Sequence, residues 1–372
     1  MLSAYYLFYQ MRFILTLMNT FFVGVILCNC CYAEELQRYT FEEAAMSMPV
    51  RIVVCAENEA VAKAVAEAAF RRVHELNDIM TDYDSASELM QMCRNGGQSG
   101  QPVAVSDDLF RVLQKSRQIS IDSGGAFDVT VGPMVRLWRR ARRLHKFPEQ
   151  QLLDEAKTLV GNELWEIDET SQTVTLKRDK MRFDLGGIAK GDIIDQAILT
   201  LKEAGITAAL VDAGGDLRVY GIPPSDKQLE NDTKNKTGWL IGVSAHGKEV
   251  ARLVSGDIAL ASSGDLTQYV KLDGKRYSHI VDPKTGLGLT NQAAVTVFAS
   301  DAITADALAS TLSILPPEEG LQLLKRYNGT AAMISRLITD STKENSETES
   351  TSQVEVWYSE NWERLMSGDF DG

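Results

Sequence analysis

Cysteine and histidine are scarce in this chain of 372 residues, with five of the first and four of the second. Three of the cysteines, Cys28, Cys30 and Cys31, crowd into the N-terminal stretch, leaving Cys55 and Cys93. Two cysteines make no disulfide framework, although one bridge is open to a chain folded outside the cytoplasm. Beyond the N-terminal cysteines there is no Cys-x-x-Cys, and nowhere a His-Glu-x-x-His, so a zinc site has nothing to stand on. Both common nucleotide signatures are absent too, the G-x-G-x-x-G that follows a strand and the G-x-x-x-x-G-K-[ST] loop. Basic charge is short: 38 Lys and Arg stand against 51 Asp and Glu, a net −13. That balance argues against a protein that lives on a phosphate backbone, and no nucleic-acid partner is expected. An acidic chain that handles a small anion must neutralise it locally, with helix N-termini, backbone N–H groups, a few cations or a divalent metal.

What is present is an ordinary globular composition, 44% apolar and 24% charged, long enough for a large core or two subdomains. Residues 1–33 stand apart. Met11-Arg12 opens a run from Phe13 to Leu27 that is apolar except for Thr16, Asn19, Thr20 and Gly24, and the stretch closes on Ala33 before Glu34-Glu35. A positive start, about 15 apolar residues and a small terminal residue fit an export signal better than a spanning helix. The expectation is an exported protein, periplasmic or on the extracytoplasmic face of the membrane. A retained anchor and a lipoprotein-type leader are the alternatives, and Asn29 before Cys30 and the bulky Val25-Ile26-Leu27 before Cys28 suit lipidation poorly.

Within 34–372, residues 50–55 read as a strand and 59–80 as a helix, since Ala62, Val65, Ala69, Val73, Leu76 and Met80 recur at helical spacing. Helices are expected at 107–122, 149–159, 192–204, 303–314 and 317–327, with a strand pair near 163–184 and strands at 208–215, 237–245, 251–264 and, last, VEVWY. Strands and helices mix without steady alternation, so the fold class is α+β rather than doubly wound. The basic run Arg136, Arg139, Arg140, Arg142, Arg143 and Lys146 reads as a solvated helix face. The polar stretch 338–353, rich in Ser, Thr and Glu, reads as a flexible loop.

Four segments concentrate glycine, hydroxyls and acids: SGGAFDVTVGP at 123–133, DLGGIAKG at 184–191, VDAGGDL at 211–217, and SSGD with YSHIVDPKTG within 262–286. One Gly-Gly is usually a structural turn. Several, joined to Asp, Lys or Ser, point to a phosphate-bearing ligand, with Lys190 adding a cation before a helix N-terminus. Asp306 and Ser310 fall at i and i+4, where a carboxylate and a hydroxyl can share a hard cation such as Mg²⁺. Asp306 as a first-turn charge is the plain alternative. Of the histidines only His279 stands among these segments, able to deprotonate a hydroxyl near neutral pH or simply to be hydrogen-bonded.

Taken in order, FEEAAMSMPVRI at 41–52, MTDYDSASEL at 80–89, the four segments above and ADALAS at 305–310 resemble the ApbE-like family of FAD:protein FMN transferases over about 41–336. The resemblance implies a single α+β, T-fold-like domain of two intimately packed subdomains with mixed and antiparallel sheets. It implies FAD as substrate, Mg²⁺, and transfer of FMN to a threonine hydroxyl of an acceptor protein, a membrane redox subunit, with release of AMP. FAD hydrolysis to FMN and AMP, or FAD binding without turnover, are the alternatives. By motif, the flavin contacts would be Met46, Tyr83, Ala126, Phe127, Asp128, Gly186, Asp192 and Ile280, the metal ligands Ala189 (through its carbonyl), Asp306 and Ser310, and the base His279. Two departures stand out: Ser47-Met48 where the family commonly has Gly-Thr after Met46, and Ser310 where it usually has threonine.

Overall fold

In the segment Met48–Ala56, Val50, Ile52 and Val54 are buried while Pro49 and Arg51 are exposed, the period of a strand with one face on a core. It is the second of eight strands in one sheet: β1 (Gln37–Ala45), β2 (Met48–Ala56), β3 (Ala209–Ala213), β4 (Asp216–Tyr220), β5 (Asp257–Gly264), β6 (Ala293–Ala299), β7 (Ala331–Ile338) and β8 (Gln353–Tyr358). They lie across the sheet in chain order, each antiparallel to the next. The computed structural model describes residues 36–97, 100–224, 237–245, 248–264, 268–338 and 353–367. The expected leader and the interior of the polar stretch 338–353 lie outside these residues.

Six helices intervene between β2 and β3: α1 (Glu59–Met80), α2 (Glu88–Gly97), α3 (Asp107–Asp122), α4 (Gly132–Leu144), α5 (Gln150–Lys157) and α6 (Ala189–Glu203). Between β6 and β7 come α7 (Ala302–Ile314) and α8 (Pro317–Leu324), and α9 (Trp362–Ser367) follows β8. Helix α1 starts where Asn58 accepts a hydrogen bond from Val61 N at 3.0 Å, and buries Ala62, Ala66, Ala69, Phe70, Val73, Leu76 and Met80 along one face. Helix α7 is apolar nearly all round because it is enclosed, with α6 and the strands β5 and β6 packed on it. Its N-terminus is held by two acids. Asp301 accepts from Thr304 N at 2.9 Å, and Asp195 of α6 accepts from Ala302 N and Ile303 N, both at 2.9 Å.

A second, smaller core joins α4 and α5 to the hairpin Tyr269–Leu272/Lys275–Ser278, with Met134, Trp138, Ala141, Val270 and Val281 buried. Trp138 is its centre: the ring lies 5.1 Å from Tyr277 and 5.5 Å from Phe147 between centroids, and Nε1 donates to Gly286 O at 2.8 Å. From Gln37 onward the described residues nevertheless form one compact unit, an α+β domain. No described helix is long and apolar enough to cross a membrane. Two expectations change. Helix α6 begins at Ala189 rather than 192, which puts Lys190 in its first turn, and Cys55 and Cys93 are both buried free thiols, pushed up to about 11 by burial, so no bridge joins them.

Candidate active site

One end of the sheet collects the glycine-rich segments. Ala45 and Met48 pair across the β1–β2 hairpin, and the two residues between them, Met46 (φ 51) and Ser47 (φ 62), both have the left-handed backbone that a tight two-residue turn needs. The neighbouring β3–β4 turn is Gly214-Gly215, and a Cβ added at Gly214 would sit 2.8 Å from Met48 Sδ. Met48 therefore lies over that turn. Asp216, the first residue of β4, is buried and accepts from Ser262 N of β5 at 2.8 Å with Oδ1. Its Oδ2 pairs with Lys190 of α6.

The start of α6 is pressed against α7. A Cβ at Gly191 would fall 2.2 Å from Ala302 O, so glycine is what lets the two helices close. That approach places Gly191 N 3.1 Å from Oδ2 of the buried Asp306. One turn further along α7, Ser310 faces the preceding loop. A Cβ at Gly187 would lie 2.9 Å from Ser310 Oγ and 3.5 Å from the Phe127 ring, so the Gly186-Gly187 turn threads between them. The 123–133 segment is fastened to the same loop by Asp184 N donating to Val129 O at 2.7 Å.

The electrostatics follow from this enclosure. Burial, with repulsion from Asp216, pushes the Asp306 carboxyl up to about 7 against the pull of Lys190 and of Gly191 N–H. For Lys190 burial works against the charge, but Asp306 and Asp216 together hold its ammonium above the usual lysine range. Two buried carboxyls thus face one ammonium, and Asp306, short of positive charge, takes up a proton near neutral pH. His279 is half-buried, with its backbone N donating to Gln268 O at 3.0 Å and its Nδ1 3.2 Å from the same oxygen. A carbonyl only accepts, so Nδ1 carries the proton and Nε2 keeps its lone pair. Burial, partly offset by the Gln268 carbonyl and reinforced by Arg142 and Lys190, brings this imidazole down to about 4. It is a neutral ring at physiological pH.

Lys190, Asp216, Gly187, Ser310, Asp306 and Phe127 are brought together, and Ala189 opens the helix that carries Lys190. Phe127 and its neighbour Ala126 are buried, whereas Ile280 is half-buried beside His279, its N donating to Ser278 Oγ at 3.1 Å. Tyr83 is 79% exposed, its ring lying on the Arg139 guanidinium at 4.3 Å. Two acids are engaged inside the fold. Asp128 caps the turn Val129–Val131 by accepting from Thr130 N at 2.9 Å and Thr130 Oγ1 at 2.6 Å. Asp192 takes both oxygens to Arg111 of α3, each at 2.8 Å. Sequence reasoning passed over Asp82, Asp184, Arg139, Asp216 and Ser262 as individual residues. Four of these stand inside the quoted motifs, but Arg139 sits in the run read as a solvated face. That reading holds for the exposed Arg136, Arg140 and Arg143 and fails for Arg139, which is partly buried between Asp82 and Asp184.

A family model, that of the ApbE family, matches residues 46–334. The chain belongs to the ApbE family. Among curated relatives, the FAD:protein FMN transferase of Vibrio cholerae is 33% identical over 258 residues, covering 68% of this chain and 73% of its own length. That of Haemophilus influenzae is 31% identical over 272 residues, covering 70% and 75%. The solved structure of the flavin transferase ApbE from Vibrio cholerae superposes with a TM-score of 0.73 at 26% identity, over 89% of this chain and 99% of that one. The ApbE fold thus accounts for both cores and for the sheet end at which the motifs meet.

Proposed function

We propose that this ApbE-family protein is an FAD:protein FMN transferase that joins the FMN part of FAD to a threonine hydroxyl of an acceptor protein and releases AMP. The observation that carries the reading is His279: a neutral imidazole with Nδ1 fixed on a backbone carbonyl and Nε2 unprotonated, close enough to Lys190 to feel its charge. The acceptor oxygen attacks the FMN-side phosphorus, its proton passes to His279 Nε2, and the bond to the AMP phosphate breaks. Lys190 faces the anionic phosphates, and the Gly186-Gly187 turn brings backbone close to them. Tyr83 offers an open aromatic face to the flavin ring.

The donor set also suits Mg²⁺. Among the described residues no three His, Cys, Asp or Glu side chains converge as a cage, but Mg²⁺ asks for only one or two protein carboxylates and takes its other oxygens from phosphate and water. Asp306 and Asp216 share one ammonium, and a divalent cation would favour the ionised form of Asp306 that burial disfavours. Asp306, Ser310 and the Ala189 carbonyl would hold it. When bound, Mg²⁺ supplies charge neutralisation of the pyrophosphate and of the departing oxygen. The N-terminal pattern supports a reaction on the extracytoplasmic side, with a membrane redox subunit as acceptor.

The test is direct. Mature protein is incubated with FAD, Mg²⁺ and a threonine-bearing acceptor, and acceptor mass and AMP are measured. An FMN adduct with stoichiometric AMP is expected. AMP and FMN without adduct would mean hydrolysis, and neither product would remove the enzymatic reading.

A further inference from the structure

Arg139 is held on both sides. Its Nη1 donates to Asp82 Oδ2 at 2.5 Å and its Nη2 to Asp184 Oδ2 at 2.8 Å, and both carboxylates are nearly buried. The guanidinium carbon lies over the Tyr83 ring, 4.3 Å from its centroid, while the 79% exposure of Tyr83 leaves the other face of the ring open. Asp184 reaches the other way as well. Its second oxygen, Oδ1, accepts from Gly186 N at 2.9 Å, in the turn that runs between Phe127 and Ser310. A single carboxylate therefore links the guanidinium under the ring to the backbone that faces the phosphates. An exposed tyrosine on a loop would otherwise sample several rotamers, and only a planar fork can bond two carboxylates and stack at once; lysine cannot.

We infer that Arg139 is a positioning residue that holds the Tyr83 ring as a stacking face and, through Asp184, ties it to the Gly186-Gly187 turn, so that the ring end and the phosphate end of the ligand site share one guanidinium. The inference rests on the flavin-nucleotide reading of the site and adds a dependence between its two ends.

Ligand fragments separate the ends. With the full chain, binding of riboflavin, which has the ring without phosphate, and of ADP, which has the diphosphate without the flavin, is measured by fluorescence and calorimetry. Arg139→Lys keeps the charge and loses the fork. Both fragments should bind about tenfold more weakly to it, the size expected for a cation–π contact together with a charged hydrogen bond. Tyr83→Leu, at an exposed position, should weaken riboflavin alone. Adding Tyr83→Leu to Arg139→Lys should cost riboflavin little more, because the two changes remove the same contact. Unchanged ADP binding by Arg139→Lys, or additive losses of riboflavin, would overturn the inference. Should Arg139→Lys not fold, Asp82→Asn removes one anchor without touching the turn: a severalfold loss of riboflavin affinity is expected, and wild-type affinity would overturn the inference. If the unaltered protein binds none of FAD, riboflavin and ADP, the functional reading itself falls.

Discussion

At His279 the proposed chemistry turns on one hydrogen. Because Gln268 O can only accept, the ring keeps its proton on Nδ1 and offers Nε2 as a base. His279→Ala should lower the transfer rate by about 10²–10⁴-fold, the usual span for a general base, with FAD affinity nearly unchanged in a binding titration. The sign of the pH effect is set by burial. With the imidazole brought down to about 4, the base stays unprotonated well below the ordinary histidine range near 6.5. With Mg²⁺ saturating, so that Asp306 stays ionised, the rate should therefore hold as pH falls through 6 and drop only as pH approaches 4; a limb near 6.5 that excess Mg²⁺ does not move would contradict the burial argument. The same shift opposes folding in acid, since below about 6.5 the unfolded chain takes up a proton that the folded ring refuses. Asp306 is the counterpart case of a buried carboxylate with too little positive charge around it. Asp306→Asn keeps the side-chain shape and an acceptor for Gly191 N while leaving Lys190 and Asp216 as a neutral pair. Without metal it should melt no lower than the unaltered protein, and it should lose both transfer and the rise in melting temperature that Mg²⁺ is expected to produce.

Among the elements, the β1–β2 hairpin and the α7 N-terminus carry the clearest conformational costs. Ser47 holds φ 62 in a turn whose second residue favours glycine. Ser47→Gly should stabilise the protein by roughly 0.5–1 kcal/mol in denaturant unfolding, by removing the left-handed strain of a residue with a Cβ. Met48, lying over Gly214, would stay in place, so flavin affinity should change little. At α7, Asp195 takes two backbone N–H groups of the helix and pairs with Arg218 at 2.6 Å. Asp195→Ala should cost about 3 kcal/mol, because it strands a partly buried guanidinium and two donors at once. A loss under 1 kcal/mol in the same measurement would mean that water replaces the carboxylate.

Across the whole molecule, the site depends on two cores meeting. The larger one fixes α6 and α7 on the sheet; the smaller one, built around Trp138, carries the hairpin that leads into His279. Trp138→Ala should cost about 3–5 kcal/mol and should also lower transfer efficiency, although Trp138 touches none of the reacting groups. Unfolding followed by fluorescence and by activity should report both losses. The acidity belongs to the same scale. The net −13 argues against a broad anionic partner, yet in the proposed site the phosphates would meet one ammonium and one helix start within an enclosed cluster, where local charge outweighs the protein's total.

Much of this was legible in the chain itself. The period of Val50, Ile52 and Val54 announces a strand, and the spacing from Ala62 to Met80 announces a helix whose ends coincide with those of α1. Asp306 and Ser310 at helical spacing already implied a shared face. These are local properties, set by backbone periodicity and by neighbours a few residues away. Other features waited on the fold. Asp192 stands in a motif, yet it spends both oxygens on Arg111, 81 residues away in sequence. Arg139 lies among arginines that do face water, yet it is drawn inward by Asp82 and Asp184, 57 and 45 residues away. Whether a charge is solvated or buried is decided by which distant carboxylate arrives beside it, and that is settled by tertiary packing. The motifs and most of the elements could thus be read from the residues alone. The His279 tautomer, the raised Asp306 carboxyl and the place of Arg139 between two acids exist only once the two cores have closed.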